Sequence, residues 1–332
     1  MDEAKVAELF GLDQITDISE ISCGHINQTR VLTSVNGERF VMQTLNTDVF
    51  RSPEAVMRNI GKITKKISAS PDCGIIVPEY LFAGDGKNHA EQNGRIYRIY
   101  RYIAPTNVSE FPEYRTAKAY GTFIRMLSGK NLKLETSVEN FHNYPCYFSH
   151  LASAEKSSDF KKIDKAVMKR LGSLSDTLSQ VFTVDFPKRN IHGDAKKDNI
   201  ILSETPAVID LDTAMYSYAA IDYGDIVRSV CSSGKLDYCA LRDVTRGFAD
   251  GLEGLLSEDE IYSLYYGILY VTGELAVRYL TDYLSDEKYF RGKTSAQCLS
   301  RAESLLNSLK LFISEGEEIV SLIYRIFGMR NK

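Results

Sequence analysis

The sequence predicts an α+β fold of two lobes, a small antiparallel sheet followed by a larger, mainly helical lobe. Three observations lead there. Apolar residues follow strand-like patterns through the first hundred residues and recur with period 3.6 beyond Pro105. The chain, at 332 residues, is also longer than one simple core usually serves, so a cleft between two lobes becomes available.

The elements follow in order. Residues 29–33 (Thr-Arg-Val-Leu-Thr) and 39–42 (Arg-Phe-Val-Met) read as strands joined by Asn36-Gly37 as a two-residue hairpin turn. Ser52-Pro53-Glu54 opens a helix that runs through Val56, Ile60 and Ile63, because serine can cap it and proline is tolerated in the first turn. Strands resume at 75–77 and 96–100, and the lobes join between 100 and 105, which divides the chain into residues 1–101 and 102–332. In the second part Tyr120, Phe123, Ile124 and Leu127 share one helical face, and a long helix is expected over about 257–284. Inside this helical half, Asn199-Ile200-Ile201-Leu202, a turn at Glu204-Thr205-Pro206 and Val208-Ile209-Asp210 predict a short hairpin.

Composition narrows the function. Forty basic against forty-four acidic residues leave a net charge of -4, with no basic footprint for nucleic acid or an anionic membrane. Six scattered cysteines show no CxxC and no zinc-site spacing and are expected as reduced thiols. With no signal-peptide pattern and no apolar run of membrane-spanning length, the expected location is cytoplasmic.

The chemistry concentrates in residues 192–212. His192-Gly193-Asp194-Ala195-Lys196-Lys197-Asp198-Asn199 fits H-x-D-x-x-x-x-N, the spacing of kinase catalytic loops. Asp194 suits the base that accepts or orients the proton of an attacking alcohol. Asn199 offers a neutral oxygen to a magnesium ion, His192 can brace the loop, and Lys196 can meet the transferring phosphate. Phosphoryl transfer spreads negative charge and calls for an ionised metal ligand nearby. Asp210, at the end of the hairpin, supplies it, with Asp212 as a second carboxylate.

These residues resemble the aminoglycoside phosphotransferase and choline kinase superfamily, small-molecule kinases of protein-kinase-like fold. More narrowly, Gly24-His25-Ile26-Asn27-Gln28-Thr29, Pro53-Glu54-Ala55-Val56-Met57, Ile209-Asp210-Leu211-Asp212-Thr213, Asp222-Tyr223-Gly224-Asp225 and Arg278-Tyr279-Leu280-Thr281-Asp282-Tyr283-Leu284 look like the N-acetylhexosamine 1-kinase group. The resemblance implies ATP and Mg2+ as cofactors. It places Gly24, Asn27 and Thr29 in a nucleotide-covering turn, His25 and Arg278 toward a sugar, and the backbone of Tyr100, Arg101 and Tyr102 against the purine. Asp222 and Asp225 would hold the catalytic lobe together. The chain departs from protein kinases at Phe40-Val41-Met42-Gln43, where V-A-I-K would put a phosphate-binding lysine and Gln43 stands instead. Glu54 then stabilises its helix N-terminus rather than pairing with that lysine.

The reading is an ATP- and magnesium-dependent kinase acting on the anomeric hydroxyl of an N-acetylhexosamine or related sugar. Two alternatives stay open: a kinase of an amino alcohol or aminoglycoside, which would need an acidic or aromatic pocket that Arg278 opposes, and a pseudokinase, for which Gln43 is the main support.

Overall fold

A computed structural model describes residues 3–20, 26–106, 110–129, 132–158, 162–231, 234–286, 289–290 and 292–329. After a short helix α1 (Glu3–Glu8), strands β1 (Ile15–Glu20), β2 (Gln28–Ser34) and β3 (Arg39–Thr44) precede helix α2 (Pro53–Ser68), and β4 (Ala90–Gln92) and β5 (Arg95–Arg101) complete an antiparallel sheet. Its order is β1-β2-β3-β5-β4. Strand alternation sorts the side chains. Leu32, Phe40, Met42, Tyr97 and Ile99 face outward onto Val6, Ala7 and Phe10 of the α1 region, while Val41, Ile96 and Tyr100 face inward toward α2 and the main core.

Several expectations change in detail. The β2–β3 connection has three residues, Val35-Asn36-Gly37, closed by Ser34 N–H to Glu38 O at 2.9 Å, with Gly37 at φ +79°. That is the bulged hairpin a left-handed glycine permits, one residue longer than the expected turn. Ser52 holds the N-cap position of α2 without a side-chain cap bond, and Pro53 follows it. Residues 75–77 form no strand of the sheet; Ile76 instead bridges Ala207, with Ile76 N–H on Pro206 O and Val208 N–H on Ile76 O.

The second lobe is built from α3 (Pro112–Leu127), α4 (Tyr144–Ser157), α5 (Lys165–Val181), α6 (Ala219–Cys231), α7 (Tyr238–Leu252), α8 (Glu258–Leu284), α9 (Ser295–Ser314) and α10 (Gly316–Phe327). Ser257 and Glu260 form a capping box that starts α8, the long central helix. Between α5 and α6 lie β6 (Arg189–Ile191), which pairs with β9 (Met215–Ser217), and the short hairpin of β7 (Ile200–Ile201) and β8 (Ala207–Val208). One apolar cluster runs from α2 through α3, α6 and α8, so the two lobes share a core. Among the described residues, no helix is long and apolar enough to cross a membrane, and the described cysteines are free thiols.

Candidate active site

The segment from β6 to β9 makes a loop and a hairpin whose ends meet. Ile209 N–H donates to Asn199 O at 3.0 Å, extending the β7–β8 pairing by one rung and setting Asn199 beside Asp210. Asp210 adopts φ +60°, ψ +55°, a left-handed conformation that turns the chain sharply after the strand.

The loop backbone is held from several sides. Gly193 has φ +79°, and a Cβ there would lie 2.5 Å from Thr213 O, so only glycine fits. Fully buried Asp222 accepts from His192 N–H at 2.7 Å and Gly193 N–H at 2.8 Å. Burial drives its carboxyl up to about 6, against the opposing pull of His192 and the two N–H groups. His192 donates from Nε2 to Ile209 O at 2.8 Å, since a carbonyl can only accept, and takes Asp194 N–H on Nδ1 at 3.3 Å. Both ring nitrogens are thus paired within the segment. The His192 ring lies edge-on to Tyr120, whose hydroxyl donates to Lys196 O at 2.8 Å.

Asp194 receives Lys196 Nζ at 2.7 Å and Asn199 Nδ2 at 3.0 Å, both on Oδ2. Burial pushes its carboxyl up, but the Lys196 ammonium, His192 and Asn199 outweigh it and hold it below the usual range. Asp194 is therefore an ionised carboxylate at neutral pH. Asn199 uses Nδ2 on Asp194, which leaves Oδ1 without a donor among the described residues. The Asp210 carboxylate likewise accepts no hydrogen bond from them. Burial, then Asp212 and Asp194, push its carboxyl up to about 7. A half-buried carboxylate among carboxylates, next to an unclaimed amide oxygen, fits a divalent cation that keeps most ligands from water and phosphate. The described residues contain no cluster of three or more His, Cys, Asp or Glu able to hold a metal alone.

Other expected site residues fall elsewhere. Asp212 is 2% exposed and spends both oxygens on Arg98, at 2.5 and 3.0 Å, with Asn27 Nδ2 also on Oδ2 at 2.7 Å. Asn27 accepts Asn46 N–H on its other end, so its amide ties the start of β2 to Asp212. Gln43 gives Nε2 to Thr29 Oγ1 at 3.3 Å and accepts two Arg98 N–H groups on Oε1. Arg101 N–H and Tyr102 N–H are taken by Glu79 O and Arg39 O, while Tyr100 is buried beside Tyr80. Gly24 and His25 lie outside the described residues.

Arg278 stands on α8 among aromatic rings. Its guanidinium carbon is 4.3 Å from the ring centre of Tyr289, 5.2 Å from Tyr147, 5.4 Å from Phe290 and 5.6 Å from Phe141. Glu274, one turn earlier, lies 3.6 Å away, and buried Nε has no partner among the described residues. Glu274 also contacts His142 Nδ1 at 3.1 Å, and His142 Nε2 donates to Gly193 O at 2.7 Å. Glu274 and Gly193 O more than offset the burial that would lower the His142 pKa, and raise it. Sequence reasoning missed Arg98 and His142, whereas Glu274 follows from its i,i+4 spacing to Arg278. Of the two, Arg98 left a signal, since strand alternation sets it on the inner face opposite Gln43.

Two lobes, a braced Asp194 and the Asn199–Asp210 pair define a phosphotransferase with an alcohol group as acceptor. The chain belongs to the phosphotransferase enzyme family (APH), whose model matches residues 17–238. It is similar in structure to amicoumacin kinase hAmiN in complex with AMP-PNP, Ca2+ and Ami, at 14% identity over 93% of this chain and 94% of that one, TM-score 0.65. Choline kinase from Cryptosporidium parvum Iowa II gives 14% identity, 98% and 100% coverage and TM-score 0.62. The microcompartment-associated aminopropanol kinase gives 12%, 96% and 99%, and 0.65. At such identity the likeness is one of fold, and the family match ends before α8, the helix that carries Glu274 and Arg278.

Proposed function

We propose that this chain is an ATP- and magnesium-dependent kinase, working in the cytoplasm, that phosphorylates the anomeric hydroxyl of an N-acetylhexosamine or related sugar to the sugar 1-phosphate. Residues 1–101 form the nucleotide-binding lobe and 102–332 the lobe that carries the catalytic loop and acceptor site. Family membership and the braced loop support the transfer. The sugar rests on Arg278 and on the resemblance of its segment to hexosamine 1-kinases.

Arg278 is the observation that carries the acceptor. A cation kinase would offer aromatic faces to its substrate's ammonium. Here Phe141, Tyr147, Tyr289 and Phe290 already surround the chain's own guanidinium, which repels a second cation. The planar guanidinium fork suits neutral oxygens, such as ring hydroxyls or an acetamido carbonyl. Through Glu274 and His142 this arginine is tied to Gly193, the residue before Asp194, so the acceptor wall and the base move as one body.

In the reaction Asp194 orients the acceptor hydroxyl and takes its proton, and its ionised state at neutral pH suits that task. Lys196, held on Asp194 Oδ2, stands ready to meet the transferring phosphoryl group. Asn199 Oδ1 and the Asp210 carboxylate hold Mg2+, which when bound neutralises charge on the nucleotide phosphates. Asp212 takes no part as a ligand, because Arg98 and Asn27 hold its oxygens.

The test is phosphoryl transfer from ATP with Mg2+ across a panel of free sugars that includes N-acetylglucosamine and N-acetylgalactosamine, with amino alcohols beside them and the product's phosphate position assigned. A 1-phosphate from an N-acetylhexosamine is the expected result. Turnover of amino alcohols alone would overturn the acceptor, and an Asp194→Asn variant with unaltered turnover would remove the base.

A further inference from the structure

Gln43 poses a chemical problem. A kinase active site draws a fixed cation from the third strand, and that cation pairs with a glutamate of the following helix. Here the strand offers an amide, and the only carboxylate of α2 is Glu54, exposed in its first turn. The part of α2 nearest the sheet presents Met57, whose sulfur lies 4.0 Å from Arg98 Nη1.

The sheet register shows where the charge went. Thr29 pairs with Gln43 and Gln43 with Arg98, so the three side chains form one row across the inner face of β2, β3 and β5. Arg98 is 0% exposed, and its fork is divided. Nε and Nη2 donate to Gln43 Oε1 at 2.9 and 2.7 Å, and Nη1 and Nη2 donate to the two oxygens of Asp212. A lysine at 43 would set a second buried cation against this one, whereas the amide oxygen accepts from it. Gln43 and Arg98 are therefore a matched pair.

We propose that Arg98 is a positioning residue for the metal and nucleotide, doing from β5 what a lysine does from β3 in other kinases. It neutralises Asp212 and pins the segment two residues from Asp210, so that the Asp210 carboxylate is held where the cation binds. The ion pair linking sheet to catalytic segment is thereby rewired from β3–α2 to β5–Asp212. Asn27 on the same carboxylate brings the nucleotide-covering strand into the lock. The proposal rests on the kinase reading above but not on the sugar.

Charge transposition tests it. Binding of ADP, with and without Mg2+, is measured by calorimetry alongside thermal unfolding for Arg98→Gln, Gln43→Lys and the double variant. This readout needs no acceptor, so failure of the sugar assignment leaves it intact, and a parent that binds no nucleotide at all would instead sink the kinase reading. Each single variant is expected to weaken Mg2+-dependent ADP binding by about 10–100-fold, the usual loss when a group that orients a metal ligand is removed. The double variant moves the cation across one rung and is expected to recover most of the loss. Arg98→Gln binding Mg2+ and ADP as tightly as the parent, or a double variant that regains its melting temperature without regaining binding, would overturn the proposal. If Arg98→Gln does not fold, Arg98→Lys keeps the charge without the fork. It is expected to fold with intermediate affinity, and a folded Arg98→Lys with no Mg2+-dependent binding equally overturns it.

Discussion

The same substitution in two helices should have opposite effects. Gly61 lies in α2, where an added Cβ meets nothing nearer than Asn88 Nδ2 at 3.7 Å. Gly61→Ala should therefore raise stability by about 0.5–1 kcal/mol, because alanine restricts the unfolded chain and favours helix. Gly267 lies in α8, where a Cβ would run into the backbone carbonyl of Ala220 in α6. The helix gains the same propensity, but the obstacle is main chain and cannot rotate aside, so α6 and α8 must separate. Overpacking of this kind costs about 1–3 kcal/mol, which, less the helix gain of about 0.5–1 kcal/mol, leaves Gly267→Ala below the parent by up to about 2.5 kcal/mol. The helix period carries the disturbance to the site. Glu274 is two turns beyond Gly267, Arg278 three, and Asp222 two residues from Ala220, so both supports of the Gly193 loop shift together. A displacement near 1 Å costs on the order of 100-fold in rate. Thermal unfolding and turnover with the preferred acceptor measure both effects. A Gly267→Ala protein that melts as high as Gly61→Ala and keeps parental turnover would refute the close α6–α8 packing and its link to the loop.

Metal binding should depend on pH through Asp210. Its folded carboxyl is pushed up to about 7 from an ordinary 3.8, so between those values the folded protein holds a proton that the unfolded chain has released. Metal-free stability from this group is therefore lost as pH rises from about 4 to 7, and Mg2+, which competes with the proton, binds more tightly over the upper part of that range and levels off above it. Melting temperatures with and without Mg2+ from pH 5.5 to 8.5 test this, on a scale of about one proton displaced per cation. A Mg2+ shift independent of pH, or one that survives in Asp210→Asn, would contradict the assignment. Gly193→Ala should lower turnover by at least about 100-fold, since a Cβ 2.5 Å from Thr213 O adds to the left-handed strain of about 1–2 kcal/mol and moves the adjoining Asp194. Steady-state rates near the parent's would show that the loop tolerates another backbone path.

The geometry of residues 192–210 was legible because its contacts are local. His192, Asp194, Asn199 and Asp210 lie within nineteen residues, and a hairpin two residues deep on each side folds the ends together. The sheet was legible where one face is covered and the other packs on α1, as in β2, β3 and β5, whose apolar residues alternate. Strand β1 was not, because all its residues but Ile15 are exposed and the pattern carries no period. Residues 75–77 misled for the opposite reason: their apolar run serves a bridge to β8, not a place in the sheet.

Pairings across the fold were hidden, and Asp212 shows why. In sequence it is the twin of Asp210, two residues on and equally suited to a metal. What separates them is Arg98, more than a hundred residues earlier, which reaches one carboxylate and not the other. No local pattern records that choice. The register does contain half of it, since Gln43 and Arg98 face each other on adjacent strands, and a glutamine in a lysine's place is a reason to look for the missing charge one strand away. The other half needs the catalytic segment folded under the sheet, where a buried guanidinium must find a carboxylate and Asp212 is the one presented. Two carboxylates alike in sequence thus differ in the fold, Asp212 being held by Arg98 and Asn27 while Asp210 accepts no hydrogen bond among the described residues.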